Sequence, residues 1–309
     1  MERCVRHARS LSGSETDYGH RRMQLILLTV LTMVAFAANS VLNRMALVDG
    51  SIDPASFGAV RLAAGVIMLW ALAALGGGAR IQHYGDARAA AALFVYIFGF
   101  SFAYIALDAG LGALILFGMV QITMFAGALL GGERPPAQRW LGACLAFGGL
   151  IWLLWPGAGI DVSLVHAAFM TCAGIGWGIY SLLGRGATDP LRATAANFLF
   201  AAPFGIALAL ILSADVLGDI SAVGFGLAIL SGAVTSGLGY ALWYRVLPQL
   251  APSVAAVAQL TVPVIAMAGG LVFLAEPISL AFVLPAIVVL GGVAVSVIPR
   301  QKATGSNGS

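Results

Sequence analysis

The amino-acid sequence predicts an all-α integral membrane protein: ten transmembrane helices laid out as two inverted five-helix repeats. Three observations predict it. The chain of 309 residues is 60% hydrophobic and 9% charged, with a mean hydropathy of +0.96. A soluble domain is about a quarter charged, so the bilayer is the solvent that suits this composition. Apolar segments of spanning length recur between short polar breaks. Short phrases of the first half return in the second. The alternating apolar and polar dyads of an outer-membrane barrel are missing, which favours helices over strands.

Residues 1–22 hold Arg3, Arg6, Arg9, Arg21 and Arg22 without an apolar core, so they are not a secretory signal peptide. They are expected to be a basic, flexible cytoplasmic lead-in. Spans are expected near 24–44, 55–76, 89–107, 110–130, 138–155, 163–183, 191–213, 222–244, 251–274 and 279–298. The breaks between them are Gly, Pro and charge clusters: GGGARIQHYGDAR, GGERPPAQR, Asp53–Pro54 and Asp189–Pro190. No loop is long enough for a soluble catalytic domain. The tail KATGSNGS is polar and small and is expected to be disordered. Cys4, Cys144 and Cys172 are odd in number and lack redox or metal spacing, and His7, His20, His83 and His166 are isolated, so no metal or cofactor is expected.

Positive-inside accounting orients the spans. With ten spans and a cytoplasmic N-terminus, fourteen basic residues face inside: Arg3, Arg6, Arg9, Arg21, Arg22, Arg80, Arg88, Arg134, Arg139, Arg185, Arg192, Arg245, Arg300 and Lys302. Arg44 alone falls outside, among Asp49, Asp53, Asp108, Asp161, Asp215, Asp219 and Glu276. One helix more or fewer would destroy this asymmetry. Both termini are therefore expected in the cytoplasm.

The phrase FAANSVLNR at 36–44 returns as WGIYSLLGR at 177–185, matching Ser40 to Ser181, Leu42 to Leu183 and Arg44 to Arg185. Glu133 corresponds to Glu276, Gly127 to Gly270, Met124 to Met267, Gly148–Gly149 to Gly291–Gly292, and Asp53–Pro54 to Asp189–Pro190. Five helices is an odd number, so the second copy enters the membrane upside down. Inverted repeats of this kind mark secondary transporters.

With GALLGGE at 127–133 closing helix 4 and Gly270 to Ala275–Glu276 closing helix 9, the chain resembles the drug/metabolite transporter superfamily, in its EamA-type branch. Within that branch it also resembles the YddG-type amino-acid exporters of bacterial inner membranes. The resemblance divides the chain into a basic N-terminal segment (1–22), a first EamA-like repeat (23–157), a second, inverted one (158–299) and a polar tail (300–309). It implies alternating access, export or permeation, a central cavity lined mainly by helices 1, 3, 4, 6, 8 and 9, and peripheral helices 5 and 10. One departure concerns symmetry: helix 9 carries LTVPV with Pro263 where helix 4 reads MVQI with Gln121.

Polar and aromatic residues inside spans mark cavity or packing faces. Helix 3 carries the stripe Tyr96, Phe100 and Tyr104, placed inward because it bears hydroxyls. Helix 1 offers Asn39 and Asn43. Helix 6 offers Trp177 and Tyr180, and helix 8 offers Ser236 and Tyr240. Gln121, Gln259 and Thr261 lie near the midplane. These are the candidate substrate-binding residues. The competing readings are interfacial belts for Tyr104, Trp243, Tyr244, Trp140 and Trp155, and close packing for the small residues of helices 6 and 8, the pair Gly174 and Gly178 included. Arg61 is the one charge well inside a span. It is read as a structural tie to neighbouring carbonyls, with a carboxylate partner as the other reading.

Away from their ends the spans hold no Asp, Glu, Lys or His, so no catalytic residue is assigned and an intramembrane enzyme is not expected. H-E-x-x-H is absent, and Ser236–Gly237 is preceded by Val234 rather than a rhomboid glycine. No nucleic-acid partner is expected. The expected substrate is a small neutral or zwitterionic metabolite, an aromatic or large apolar amino acid above all, with a multidrug or other permease, or uptake rather than export, as the alternative. The lipid bilayer is the other expected partner, and a monomer suffices.

Overall fold

In a computed structural model the described residues, 2–78, 80–155, 162–213, 220–250 and 252–297, form helices joined by short turns, with no strand among them. The helices are α1 (Glu2–Val48), α2 (Pro54–Leu75), α3 (Ala87–Ala103), α4 (Ala109–Leu130), α5 (Ala137–Leu154), α6 (Leu164–Gly184) and α7 (Pro190–Leu212). Helix α8 runs Ala222–Leu230, passes through a π-helical stretch Ser231–Leu238 and resumes over Gly239–Val246. Helix α9 is broken between Pro252–Gln259 and Thr261–Leu274, and α10 is Leu280–Val297. Eight of the helical segments are long and apolar enough to cross a membrane; Ala87–Ala103 and Leu280–Ser296 are shorter apolar helices. Apolar side chains such as Ile67, Phe204, Val272 and Ile287 lie exposed on the outside of the bundle, where lipid would cover them.

Local chemistry sets the helix ends. Asp53 accepts hydrogen bonds from the amides of Ala55 and Ser56, and Pro54 takes the first helical position, where its missing N–H costs nothing. Asp189 and Pro190 do the same for α7, with the Arg192 amide as donor. Pro263 cannot donate to the carbonyl four residues earlier, and α9 breaks at Leu260, next to that carbonyl. At the N-terminus the structure differs from expectation: α1 extends back to Glu2. Residues 2–22 contain no proline and only two separated glycines, so nothing stops the helix from continuing into them. The C-terminal tail, Arg300, Asp161, Asp215 and Asp219 lie outside the described residues.

The packing pairs map onto themselves when the halves are exchanged. Helix α1 packs on α8 and α9 as α6 packs on α3 and α4, α2 on α8 as α7 on α3, and α4 on α5 as α9 on α10. Helix α2 packs on α7, α4 on α9 and α5 on α10. Close approach depends on small residues. A Cβ at Gly232 would sit 2.3 Å from the Arg61 carbonyl oxygen, and one at Gly176 would sit 2.7 Å from that of Ala92. Gly174 and Gly178 likewise pack against α4, as the packing reading of that pair expects.

Candidate functional site

A cavity of about 760 Å³ opens at one end of the bundle between α4, α5, α6, α8, α9 and α10. Its volume is in the range that takes a small organic molecule. Gln121 and Gln259 line it, as do Ser181 and Trp243. Glu133, Arg139 and Arg185 give its mouth a mixed charge. The break in α9 places Gln259 on this wall: the residue sits where the helix loses its regular bonding.

Beyond Trp243 the bundle is filled by aromatic rings. Phe36 of α1 stands edge-on to Trp177, Tyr240 and Trp243 at centroid distances of 6.5, 5.9 and 6.0 Å. Trp177 also meets Tyr96 at 4.9 Å, Tyr240 at 5.0 Å and Tyr180 at 5.5 Å, and Tyr96 meets Phe100 at 5.5 Å. Five sequence-predicted residues from three helices, Tyr96, Phe100, Trp177, Tyr180 and Tyr240, thus form one buried layer. Each ring pair contributes about 0.5–1.5 kcal/mol beyond its area burial, so the layer is a stiff one.

The other predicted residues are placed as follows. Ser236 is buried and accepts a hydrogen bond from Arg61 Nε at 3.0 Å. Asn39 and Asn43 are buried in a polar tie between helices: Ser231 and Thr235 donate to Asn39 Oδ1 at 2.7 and 2.9 Å, and Ser101 donates to Asn43 Oδ1 at 3.4 Å. Thr261 is exposed and donates back to the Ala258 carbonyl, away from both cavity and aromatic layer. Tyr180 donates to Thr194 at 3.1 Å.

Sequence reasoning missed one residue of the aromatic layer. Phe36 lies at the centre of the aromatic layer but carries no polar atom to mark it. Trp243 and Tyr104 are buried rather than interfacial, whereas Trp140 and Trp155 are exposed as a belt would have them. Arg61 was read as bound to carbonyls. The structure replaces that tie: Arg61 is 0% exposed, donates to Ser236 and, through Nη2, to Tyr96 Oη at 2.9 Å, and leaves Nη1 without an acceptor. The rings of Tyr96 and Phe100 lie 5.2 Å from its Cζ. A guanidinium at such depth costs on the order of 3 kcal/mol on insertion scales.

The opposite end of the bundle is closed. Arg44 of α1 bonds Glu276 beyond α9 at 3.1 Å, approaches Asp108 at 3.6 Å, and donates to the carbonyls of Tyr104 and Ile105 at 3.1 and 2.8 Å. Glu276 in turn accepts the Ala109 amide at 2.8 Å. The Ser213 hydroxyl bonds Asp53 at 2.5 Å, and the Ser221 amide bonds the Ser51 carbonyl at 2.9 Å. Burial alone would raise the Asp53 carboxyl, but the hydrogen bonds from Ser213 and the helix-end amides hold it below its ordinary value.

A helical bundle with an apolar exterior around a cavity of small-molecule size defines a multi-pass membrane protein. Residues 23–155 and again 165–298 match the EamA-like transporter family, and the chain belongs to that family, within the drug/metabolite transporter superfamily. The uncharacterized protein PA1977 of Pseudomonas aeruginosa is 48% identical over 275 residues, which is 89% of this chain and 95% of that protein. A chain of known crystal structure superposes with a TM-score of 0.64, covering 89% of this chain and 97% of its own at 20% identity, a likeness of fold alone.

Proposed function

We propose that this chain exports small zwitterionic metabolites, amino acids with aromatic or large apolar side chains among them, by alternating access across the bacterial inner membrane. Ten spans form two inverted halves, at residues 23–157 and 158–299, with both termini in the cytoplasm. The cavity then opens to the cytoplasm and the Arg44 end faces outward, in keeping with the arginine asymmetry.

The observation that carries this reading is the opposite condition of two equivalent ends. Arg44 and Glu276 are paired at the closed end, while their counterparts Arg185 and Glu133 line the open mouth. Exchanging the roles of the halves would close the mouth and open the other end, which is what inverted repeats make available. The self-mapping packing pairs support the same reading. A substrate would enter between Gln121 and Gln259, whose amides suit polar groups, and pass on to the aromatic layer beyond Trp243.

Purified protein in vesicles loaded with single labelled amino acids tests this. Counterflow of phenylalanine, methionine or leucine above that of serine is expected. Flux of cationic drugs with no amino-acid flux would replace the substrate reading with the multidrug one. Uptake-only flux in oriented vesicles would reverse the direction.

A further inference from the structure

Arg61 is a cation with no carboxylate in contact among the described residues, buried in a span, with one terminal nitrogen unbonded. The Tyr240 hydroxyl, on a side chain 3% exposed and within electrostatic reach of Arg61 and Tyr96, also has no partner of hydrogen-bond geometry. Two unsatisfied donors on adjoining helices, both buried, are what remains when an acceptor of their own is missing.

The surrounding backbone is built to hold the arginine there. Gly232, inside the π-helical stretch, lets α8 approach the Arg61 carbonyl, and the same stretch presents Ser236 to Nε. Tyr96 holds Nη2, so the guanidinium plane is fixed on two sides and its Nη1 corner is left for a third acceptor. A tie that served packing alone would satisfy every corner from the protein.

We propose that Arg61, with the Tyr240 hydroxyl beside it, is the anchor for the carboxylate of the transported solute. This rests on the carrier reading above and assigns that reading's substrate class: a monocarboxylate with an apolar body. One guanidinium among neutral hydroxyls balances one negative charge, and a phosphate dianion would leave a surplus in the membrane interior. Phe36 and Trp177 supply the apolar wall next to it. Reaching Arg61 from the cavity requires Trp243 and the rings behind it to part.

The test compares phenylalanine, 3-phenylpropanoate and phenylalanine amide by calorimetry on the purified full chain, in the parent and in Arg61→Gln, Arg61→Lys and Tyr240→Phe. The two carboxylates should bind the parent about tenfold or more tighter than the amide, because charge-assisted hydrogen bonds are the strong ones. Arg61→Gln should erase that preference, Arg61→Lys should keep part of it, and Tyr240→Phe should reduce it by about threefold. A folded Arg61→Gln variant with the parental ratio overturns the proposal. If that variant does not fold, Tyr240→Phe decides, and an unchanged ratio there overturns it too. A parent that shows no preference for the carboxylates also overturns it. Arg61-dependent binding of 3-phenylpropanoate without phenylalanine transport would keep the anchor and defeat the amino-acid reading. Phenylalanine transport with parental selectivity in Arg61→Gln would do the reverse.

Discussion

The two ends of the bundle carry the same residue types in opposite condition. At the closed end, the Arg44 and Glu276 side chains are 12% and 11% exposed and share a 3.1 Å bond. At the open end, Glu133 reaches only Arg139, at 3.4 Å between side chains 56% and 47% exposed, and Arg185 lies apart on the cavity wall. Even the turns correspond: each glutamate follows a residue in the left-handed conformation, Gly132 at φ 80 and Ala275 at φ 54. The same residue types are thus paired at one end and apart at the other, the contrast on which the proposed exchange of roles rests.

Breaking the closed end should have the largest effect. Arg44→Ala leaves Glu276 and Asp108 side by side without their cation, and removing one partner of a buried pair costs roughly 3–5 kcal/mol. Pairing at the rim of the bundle puts the expected value near the lower figure, still more than about a hundredfold in the population of the sealed state. In a chain whose three cysteines are replaced by serine, Ala109→Cys is buried under this cluster. Its labelling by a membrane-impermeant reagent should rise sharply with Arg44→Ala. Labelling at the parental rate would remove Arg44 from the seal.

Much of this comparison was legible in the sequence. The spacing of Glu133 and Glu276, and the return of Arg44 as Arg185, already placed these four residues at matching helix ends. The helical segments and the aromatic stripe on α3 were legible because apolar length and helical periodicity are local properties. Which pair is closed was not, since either state satisfies the same local rules. Arg61 was misread for a related reason. Its depth in α2 was visible, but its partners, Tyr96 and Ser236, come from helices 35 and 175 residues away. The π-helical stretch that presents Ser236 left no mark either: SGAVTSGL is as compatible with an ordinary α-helix. Thr261 was chosen for its polarity and depth, yet it turns to its own helix, as threonine does when a carbonyl four residues or fewer behind is free.

Breaking the open end should show the asymmetry. Glu133→Gln loosens only the exposed pair with Arg139, and Arg185→Ala removes a charge on the cavity wall, so melting in detergent should stay within about 0.5 kcal/mol of the parent. Flux should nonetheless fall by about tenfold, because the mirror-related seal then lacks one partner, a difference of about 1.4 kcal/mol. Loss of stability comparable to that of Arg44→Ala would mean the two ends are not alternatives of one another.

The turns offer a finer probe. Ala275 carries a left-handed strain of roughly 1–2 kcal/mol that glycine avoids. Ala275→Gly is expected to stabilise the sealed state by about 1 kcal/mol, and Gly132→Ala to introduce a similar cost at the other end. Gly270→Ala should undo the seal, since a Cβ there would stand 2.2 Å from Glu276 Oε2. Thermal melts of the three variants check the signs, and a destabilising Ala275→Gly would show that the left-handed turn is not where the strain lies.

The smallest effect expected is that of pH on the sealed end. Burial pushes the Glu276 carboxyl above its ordinary 4.5; the Asp108 charge adds to this, while the Ala109 amide and Arg44 hold it back. With the raised value, the sealed state binds the proton more tightly than an opened state in which water reaches the group. Protonation therefore favours the seal: the contribution is complete below the ordinary value and is lost as pH rises through the raised one. Lowering the pH from neutral towards about 5 should slow labelling at Ala109→Cys slightly, once normalised to a cysteine at exposed Val48. Glu276→Gln should remove the slope. Faster normalised labelling in acid would reverse the balance, making attraction to Arg44 rather than burial the dominant influence on Glu276, and the closed end would then be a charge lock that acid opens.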